Sequence, residues 1–277
     1  MLFARPVADH SYFRKDKDHP LVMAHRGGAG LWPENTLYAF ERAAEIGVDV
    51  IETEVHSTAD NTLVLMHDDT VDRTTNGRGP INSLTLEELK ALDAGFNWTK
   101  DGGQTYPFRG KGITVPTLEE VFTSLPHMRI NIDIKQMNPS LAAPLCKTIR
   151  SFGMVDAVMV ASFSAEALTD FRRVCSEVAT SASSREVTLF FLMNLVFLGS
   201  VYRPVCHAFQ IPEYSSGLHV LTKRFLDTAH SLNLKVNVWT INQVVDMKRL
   251  LKLGVDGIIT DYPDRLISLL GEMGGRS

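Results

Sequence analysis

Cysteine is scarce in this chain, and no two cysteines stand close together. The 277 residues include only three, which lie far apart in apolar surroundings: Cys146, Cys175 and Cys206. They form neither a paired disulfide framework nor a CxxC metal pattern. We therefore expect three reduced core residues in a protein of a reducing compartment.

The chain also lacks a basic stripe. Its formal net charge is -4, and acidic and basic residues are interleaved along the sequence. Proteins that bind duplex or single-stranded nucleic acid carry lysine and arginine clustered on one face or along one helix. Nucleic acid is therefore not an expected partner, and the composition favours no particular oligomeric state.

No stretch has the features of a signal peptide or a transmembrane helix. The first 20 residues reach Arg5 and a charged run before an apolar core of a signal peptide can form. The longest apolar run, Val187 to Tyr202, is shorter than the ~20 residues that span a bilayer, and Asn194 and Gly199 interrupt it. We expect a cytoplasmic protein in which residues 187–202 form either a buried barrel helix or an interfacial segment that contacts lipid.

Strand and helix patterns alternate from residue 21 onward, and the chain is long enough for one α/β barrel with an insertion. Nine strands are predicted. One of them, residues 62–66, follows the strand at 48–56 after a turn too short for a parallel crossover, so these two form an antiparallel hairpin. The remaining eight strands predict a TIM (β/α)8 barrel, whose active site lies at the C-terminal strand ends.

The domain prediction is an N-terminal arm over residues 1–20 and a single barrel domain over residues 21–277. Residues 69–116 are rich in Gly, Asn and Thr and are expected to form a small insertion over the barrel mouth. Their one clear helix, Leu86 to Leu92, is opened by a capping box.

Acidic residues share one face of the predicted strands. Glu52 and Glu54 point the same way because side chains alternate with period two, and Asp133 is phased toward the same barrel end on a later strand. Oxygen ligands suit Mg²⁺ or Ca²⁺ and suit zinc poorly. We expect one divalent cation here, although each acid alone is more often a solvated surface group.

Two histidines end strands beside these acids. His25 and His67 are candidates for a general acid and a general base, since an imidazole titrates near working pH. Folding the hairpin back is expected to place His67 opposite Glu52. The alternative is that both are structural, and the assignment of acid and base depends on the geometry of the bound substrate.

Cations and glycines complete this stretch. Arg26 is suited to a phosphoryl group by bidentate hydrogen bonds and Lys135 as a point charge, and both also suit ion pairs with the acids. Gly27, Gly28 and Gly30 follow the first strand, and we expect them to let the backbone approach a ligand without interference from Cβ.

These motifs, taken in order, resemble the glycerophosphodiester phosphodiesterases over residues 21–267. The matching motifs are HRG at 25–27, PENT at 33–36, the E-x-acid strand at 52–54, HDD at 67–69, DIK at 133–135, SF at 162–163, VWTIN at 238–242 and GVDGIITDYP at 254–263. The resemblance implies a metal-dependent TIM-barrel hydrolase that splits glycerophosphodiesters into an alcohol and glycerol 3-phosphate. A neighbouring substrate hydroxyl would attack phosphorus, and water would open the cyclic phosphate.

The resemblance also implies roles for nine residues. By position, His25 and His67 match the acid–base pair, Glu52, Glu54 and Asp133 the metal carboxylates, Arg26 and Lys135 the phosphate contacts, and Glu213 and Trp239 the residues near the polar end of the substrate. The family usually has Asp at position 54 and Glu at position 133. The metal ligand at position 54 is therefore one methylene longer in this chain, and the one at position 133 is one methylene shorter.

Two alternatives concern the substrate. If Phe190, Phe191, Leu195 and Phe197 line the barrel mouth, the substrate carries an acyl chain and the enzyme is a lysophospholipase D. The other alternative is a barrel that binds phosphodiesters without turnover. An amidohydrolase-type metal barrel is disfavoured because no HxH motif follows the first strand.

Overall fold

Eight parallel strands form the central sheet of the computed structural model, which describes residues 5–14 and 19–274. In spatial order they are β6 (Ala179–Thr180), β5 (Val158–Ala161), β4 (Arg129–Ile134), β2 (Val50–Ser57), β1 (Leu21–Ala24), β11 (Gly257–Thr260), β10 (Lys235–Val238) and β7 (Ala208–Ile211). A parallel bridge between Ser181 and Ala208 joins the two ends of this order, so the barrel is nearly closed. The predicted TIM barrel is confirmed.

Helices cover the barrel between the strands. Within the described residues they are α1 (Leu37–Glu45), α2 (Leu86–Lys90), α3 (Leu118–Ser124), α4 (Ala142–Ser151), α5 (Ala165–Val174), α6 (Ser184–Leu195), α7 (Lys223–Ser231), α8 (Val244–Leu253) and α9 (Pro263–Glu272). The capping boxes of Thr85 with Glu88 and of Thr117 with Glu120 begin α2 and α3, as the sequence predicts. The last helix, α9, is not predicted by the strand and helix pattern.

The predicted hairpin is present. Strand β3 (Leu63–Leu65) pairs antiparallel with β2, and Val55 faces Leu65. The insertion that follows packs its own small core against this strand, including Val71, Ile81 and Leu89. Trp98 Nε1 donates to the carbonyl of Ala29, 3.0 Å away, so the insertion lies beside the barrel mouth.

Residues 5–14 lie against the N-terminal ends of the strands. The amide of Val7 donates to the carbonyl of Leu232 at 2.9 Å. Tyr12 is fully buried and packs with Met23 and Val50 inside the barrel. Residues 1–4 and 15–18 of the predicted arm lie outside the described residues, and the division at residue 20 stays a prediction.

The prediction of three reduced cysteines is wrong. Cys146 and Cys175 form a disulfide, with their Cα atoms 5.7 Å apart, and Cys206 is free and buried. A helix–strand–helix unit brings α4 beside the end of α5, so cysteines that are distant in sequence become neighbours in space. The cysteines therefore give no support for a reducing compartment.

The apolar run at 187–202 is only partly buried. It forms most of α6 and a short 3₁₀ turn at Gly199–Val201. Phe190 packs in the core, 4.7 Å from the ring of Phe209, whereas the side chain of Phe197 is 78% exposed. None of the helices in the described ranges is long and apolar enough to cross a bilayer.

Candidate active site

The C-terminal strand ends surround a cavity of about 170 Å³. Eight of the nine residues singled out by the resemblance line it: His25, Arg26, Glu52, Glu54, His67, Asp133, Lys135 and Trp239. The ninth, Glu213, does not. Its carboxylate is held by Arg249 of α8, with the two Nη atoms 2.5 and 2.7 Å from its oxygens.

The turn after β1 positions two of these side chains. Arg26 has a φ of 51°, in the left-handed region that non-glycine residues seldom adopt. This conformation directs its amide to Glu52 Oε2, 3.0 Å away, while its Nε lies 3.2 Å from Glu54 Oε1. Arg26 is thus paired with two of the acids.

The glycines of this turn serve the packing of the barrel. A Cβ on Gly27 would lie 2.7 Å from Phe40 of α1, and one on Gly30 would lie 2.5 Å from the ring of Tyr262. Both distances are shorter than van der Waals contact. The structure therefore gives a reason for these glycines that differs from the predicted approach of a ligand to the backbone.

Neighbouring parallel strands bring the three acids together. In the register of β2 with β4, Glu54 faces Asp133, and alternation places Glu52 on the same side. Burial and the nearby charge of Glu54 raise the pKa of Glu52 to about 8. Burial also raises the pKa of Asp133, although Lys135 Nζ lies 2.8 Å from its Oδ2.

The acids fit a divalent cation. Asp133 Oδ1 is buried and has no hydrogen-bond partner among the described residues. The raised pKa values of Glu52 and Asp133 show that burial disfavours their charged forms, which a bound cation would favour. One atom each of His25, Glu52 and Glu54 lie within 4.8 Å of one another. The candidate metal cluster of the structure thus includes His25, whereas Asp133 borders the same cavity outside that cluster.

His25 is oriented by a residue to which the sequence assigned no role. Its Nδ1 lies 2.6 Å from Asp261 Oδ1, and its Nε2 lies 4.0 Å from Glu52 Oε2. Burial lowers the pKa of His25, but the hydrogen bond to Asp261 and the charge of Glu52 outweigh it, so the pKa is raised. Asn242 donates to the other oxygen of Asp261 at 2.7 Å and fixes the pair.

His67 has a similar carboxylate partner. Its Nδ1 lies 2.6 Å from Asp68 Oδ1, and Arg73 Nε donates to Asp68 Oδ2 at 2.6 Å. Burial raises the pKa of Asp68, but the hydrogen bonds from Arg73 and His67 lower it to about 2. The predicted position opposite Glu52 is wrong, because the hairpin register brings Nε2 of His67 to 3.9 Å from Glu54.

A second cavity of about 380 Å³ adjoins the first. The two share Asp133, Phe163, Gln210 and Trp239, and its other walls include apolar residues of α6 and of the hairpin β8 (Tyr214–Ser215) to β9 (Leu218–His219). Sequence reasoning did not single out Phe163 and Gln210 as site residues. Phe163, in the SF motif, packs edge-to-face on Trp239 with ring centroids 5.8 Å apart.

Comparison with known proteins identifies the family. The sequence model of the glycerophosphoryl diester phosphodiesterase family matches residues 25–265, most of the chain. This chain belongs to that family. A glycerophosphodiester phosphodiesterase from Caldanaerobacter subterraneus subsp. tengcongensis is 36% identical to it, over 92% of this chain and 99% of the relative. By its membership of the glycerophosphoryl diester phosphodiesterase family, the chain is a phosphoric diester hydrolase.

Two further proteins are similar to this chain over most of its length. A phosphodiesterase from Oleispira antarctica was solved in complex with the product sn-glycerol-3-phosphate. It matches with a TM-score of 0.73 and 26% identity, over 91% of this chain and 97% of that chain. A lysophospholipase D from Homo sapiens is 28% identical over 90% of this chain and 85% of its own length.

The contact between Asp261 and His25 gives a first prediction. Asp261→Asn is expected to lower the pKa of His25, because the amide lacks the negative charge that stabilises the imidazolium. NMR titration of the imidazole in metal-free protein measures this shift. Asp264→Asn, an exposed change on α9, is the matched control. An unchanged His25 pKa in Asp261→Asn would contradict the assigned role of the pair.

Proposed function

We propose that this family member hydrolyses glycerophosphodiesters to an alcohol and glycerol 3-phosphate, with a divalent cation bound and with His25 and His67 as its acid–base pair. The observation that carries the proposal is that both histidines border one carboxylate-lined cavity, each with Nδ1 held by an aspartate. Such a contact fixes the orientation of the ring and directs Nε2 toward the substrate.

Three acids are suited to hold the cation. Glu52 and Glu54 would bind it with Asp133, which lines the same cavity and has one oxygen without a hydrogen-bond partner in the described part of the chain. Oxygen donors of this kind suit Mg²⁺ or Ca²⁺. When bound, the cation would supply positive charge that stabilises the phosphate and lowers the pKa of the attacking hydroxyl.

Side chains of this protein would bind the phosphate and transfer the protons. Arg26 and Lys135 would hold the non-bridging phosphate oxygens, with Trp239 against the substrate. Nε2 of one histidine would remove the proton of a neighbouring substrate hydroxyl, which forms a bond to phosphorus. Nε2–H of the other would protonate the departing alcohol oxygen. The two histidines would then exchange these roles as water opens the cyclic phosphate.

Glu213 is proposed to have a structural role and not to contact the substrate. The resemblance implies a position near the polar end of the substrate, but its carboxylate binds Arg249 and lies outside both cavity linings. We infer that Glu213 acts by holding the strand end and the following hairpin. Its backbone carbonyl accepts from Val220 at 2.9 Å, which ties the two sides of that hairpin together.

Release of glycerol 3-phosphate from glycerophosphocholine tests the proposal. We expect release with Mg²⁺ or Ca²⁺ and its loss with a chelator, because the buried acids need the cation to form the site. Release that is insensitive to the chelator would overturn the metal assignment. No release from any glycerophosphodiester would favour a barrel that binds phosphodiesters without turnover.

A second candidate function is lysophospholipase D. The larger cavity favours it, because its apolar walls adjoin the site and are suited to an acyl chain. Of the four residues that the sequence analysis considered for the barrel mouth, Phe191 contributes to these walls, together with Val187 and Leu192, whereas Phe190, Leu195 and Phe197 do not line the cavity. Turnover of lysophosphatidylcholine above that of glycerophosphocholine supports this candidate, and turnover of the water-soluble diester alone excludes it.

A further inference from the structure

The surface beside the larger cavity is unusually apolar. We call the exposed apolar side chains of residues 189–205 the apolar patch: Leu189, Leu192, Leu195, Val196, Phe197, Leu198, Val201 and Val205. Each has at least 41% of its surface exposed, and Phe197 has 78%. Scattered exposed apolar residues are common, but a continuous patch marks an interaction site.

The patch belongs to a helix whose opposite side is already buried. Phe190 and Asn194 of α6 face the core, and Phe190 contacts the rings of Phe209 and Phe225. Leu189, Leu192 and Val196 recur at helical spacing on the outer side. Folding of the barrel therefore does not account for the second apolar face of α6.

The segment that carries the apolar patch contains no acidic residue. No Asp or Glu occurs between Val187 and Pro212. Arg185 lies on the outer stripe of α6, four residues before Leu189, and Arg203 follows the 3₁₀ turn. The guanidinium of Arg224 lies 4.3 Å from the ring centroid of Phe197. Exposed arginines therefore border the apolar surface.

Nearby acids are neutralised by other partners. Glu186 accepts two hydrogen bonds from Arg172, at 2.7 and 3.2 Å. Asp227 forms an ion pair with Lys223. The arginines at the patch therefore keep an excess of positive charge. Apolar side chains bordered by cations are typical of segments that lie in the interface of an anionic membrane.

The patch is continuous with the larger cavity. Leu192 belongs to the patch and also lines that cavity, and Leu218 of the β8–β9 hairpin lines it from the other side with 58% of its surface exposed. We propose that the apolar patch with Arg185, Arg203 and Arg224 docks on an anionic phospholipid bilayer and turns the opening of the larger cavity toward the lipid.

A second copy of the chain fits this surface less well than a bilayer does. In a symmetric dimer the same patch is used on both copies, so two surfaces bordered by arginines and lacking acids would face each other. Like charges brought together in a desolvated interface are destabilising. Anionic headgroups, in contrast, complement the arginines while the acyl region accepts Phe197 and its neighbours.

Vesicle co-sedimentation of the full chain tests the docking surface. We expect binding to phosphatidylcholine vesicles that contain phosphatidylserine, weaker binding to phosphatidylcholine alone, and weakening by salt. Phe197→Asp is expected to weaken binding at least about tenfold through lost apolar burial, and Arg203→Gln about fivefold. Phe197 has a φ of 62°, which Asp adopts more readily than Phe, so the variant should fold.

Val245→Asp on α8 is the matched control, since Val245 is 74% exposed and far from the patch in sequence. Its vesicle binding should equal that of the unaltered chain. Absence of binding to anionic vesicles would overturn the docking surface. So would equal losses in Phe197→Asp and Val245→Asp, or a dimer in solution that Phe197→Asp converts to a monomer.

The inference builds on the proposed hydrolase function, yet the two fail separately. Hydrolysis of glycerophosphocholine in solution does not need a bilayer, so Phe197→Asp should retain it. Vesicle binding without any diester hydrolysis would support the docking surface and overturn the hydrolase proposal. Hydrolysis without vesicle binding would support the hydrolase proposal and overturn the docking surface.

Discussion

His67→Gln is expected to lower kcat for glycerophosphocholine by about 10²–10⁴-fold, the usual contribution of a general acid or base. Glutamine retains a polar side chain but does not exchange a proton near neutral pH. Nε2 of His67 lies 3.9 Å from Glu54, and its Nδ1 is held by Asp68, so the ring is oriented toward the cavity. The proposed binding of the phosphate by Arg26 and Lys135 should persist, so KM should change little.

His127→Gln is the control for this change. His127 is exposed in the chain between α3 and β4 and does not line the active-site cavity. We expect its steady-state kinetics to equal those of the unaltered enzyme. His67 is 34% exposed, so neither variant leaves a large void, and thermal unfolding should show similar stability. A loss below about tenfold in His67→Gln would remove His67 from the acid–base pair.

Residues on neighbouring strands were the most predictable part of the site. Alternation alone places Glu52 and Glu54 on one face, and the strand count predicts the barrel in which β4 brings Asp133 beside them. The hairpin was also predictable from its short turn. Its register was not, because the register depends on the turn geometry, and His67 therefore lies beside Glu54.

Contacts that depend on barrel closure were not predictable from local patterns. Asp261 follows the last strand, and it meets His25 only because β11 pairs with β1, with Ala24 facing Thr260. The strand order of a closed barrel predicts this neighbourhood, but it does not predict which side chains make hydrogen bonds across it. The same limit explains the disulfide of Cys146 with Cys175, which links α4 to the end of α5.

Ion pairs between side chains of different elements were the least predictable contacts. Glu213 stands near the end of β7, where the resemblance implies a contact with substrate, yet Arg249 of α8 binds its carboxylate with two hydrogen bonds. Arg73 of the insertion holds both Asp68 and Glu34. The pairings of Glu213 with Arg249 and of Arg73 with Glu34 join residues 36 and 39 positions apart, so neither spacing nor periodicity reports them.

The exchanged ligand lengths give the second prediction. Glu54→Asp alone and Asp133→Glu alone are each expected to weaken Mg²⁺ or Ca²⁺ binding by at least ~10–100-fold, the effect of losing a partner that orients a metal ligand. The double exchange should recover much of the loss. Glu54 and Asp133 face each other in the register of β2 with β4, so the reach lost on one strand is regained on its neighbour.

Isothermal titration with the metal measures the metal affinity of the unaltered chain, of the two single variants and of the double variant. Two losses that simply add would contradict compensation, because coupled ligands give a non-additive cycle. The unaltered chain and the double variant have the same carboxylate count and the same net charge as either single variant. Differences among them therefore report geometry rather than electrostatics.

Unfolding in chelator separates metal binding from local stability. Glu54 Oε2 accepts a hydrogen bond from Asn35 at 2.7 Å, and Arg26 Nε lies 3.2 Å from its other oxygen, so Glu54→Asp weakens both contacts even without metal. A deficit that persists in chelator belongs to these contacts. A deficit that appears only with metal belongs to the ligand set, and only that part should be recovered by Asp133→Glu, because Asp133 contacts neither Asn35 nor Arg26 in the hydrogen bonds and ion pairs of the described chain.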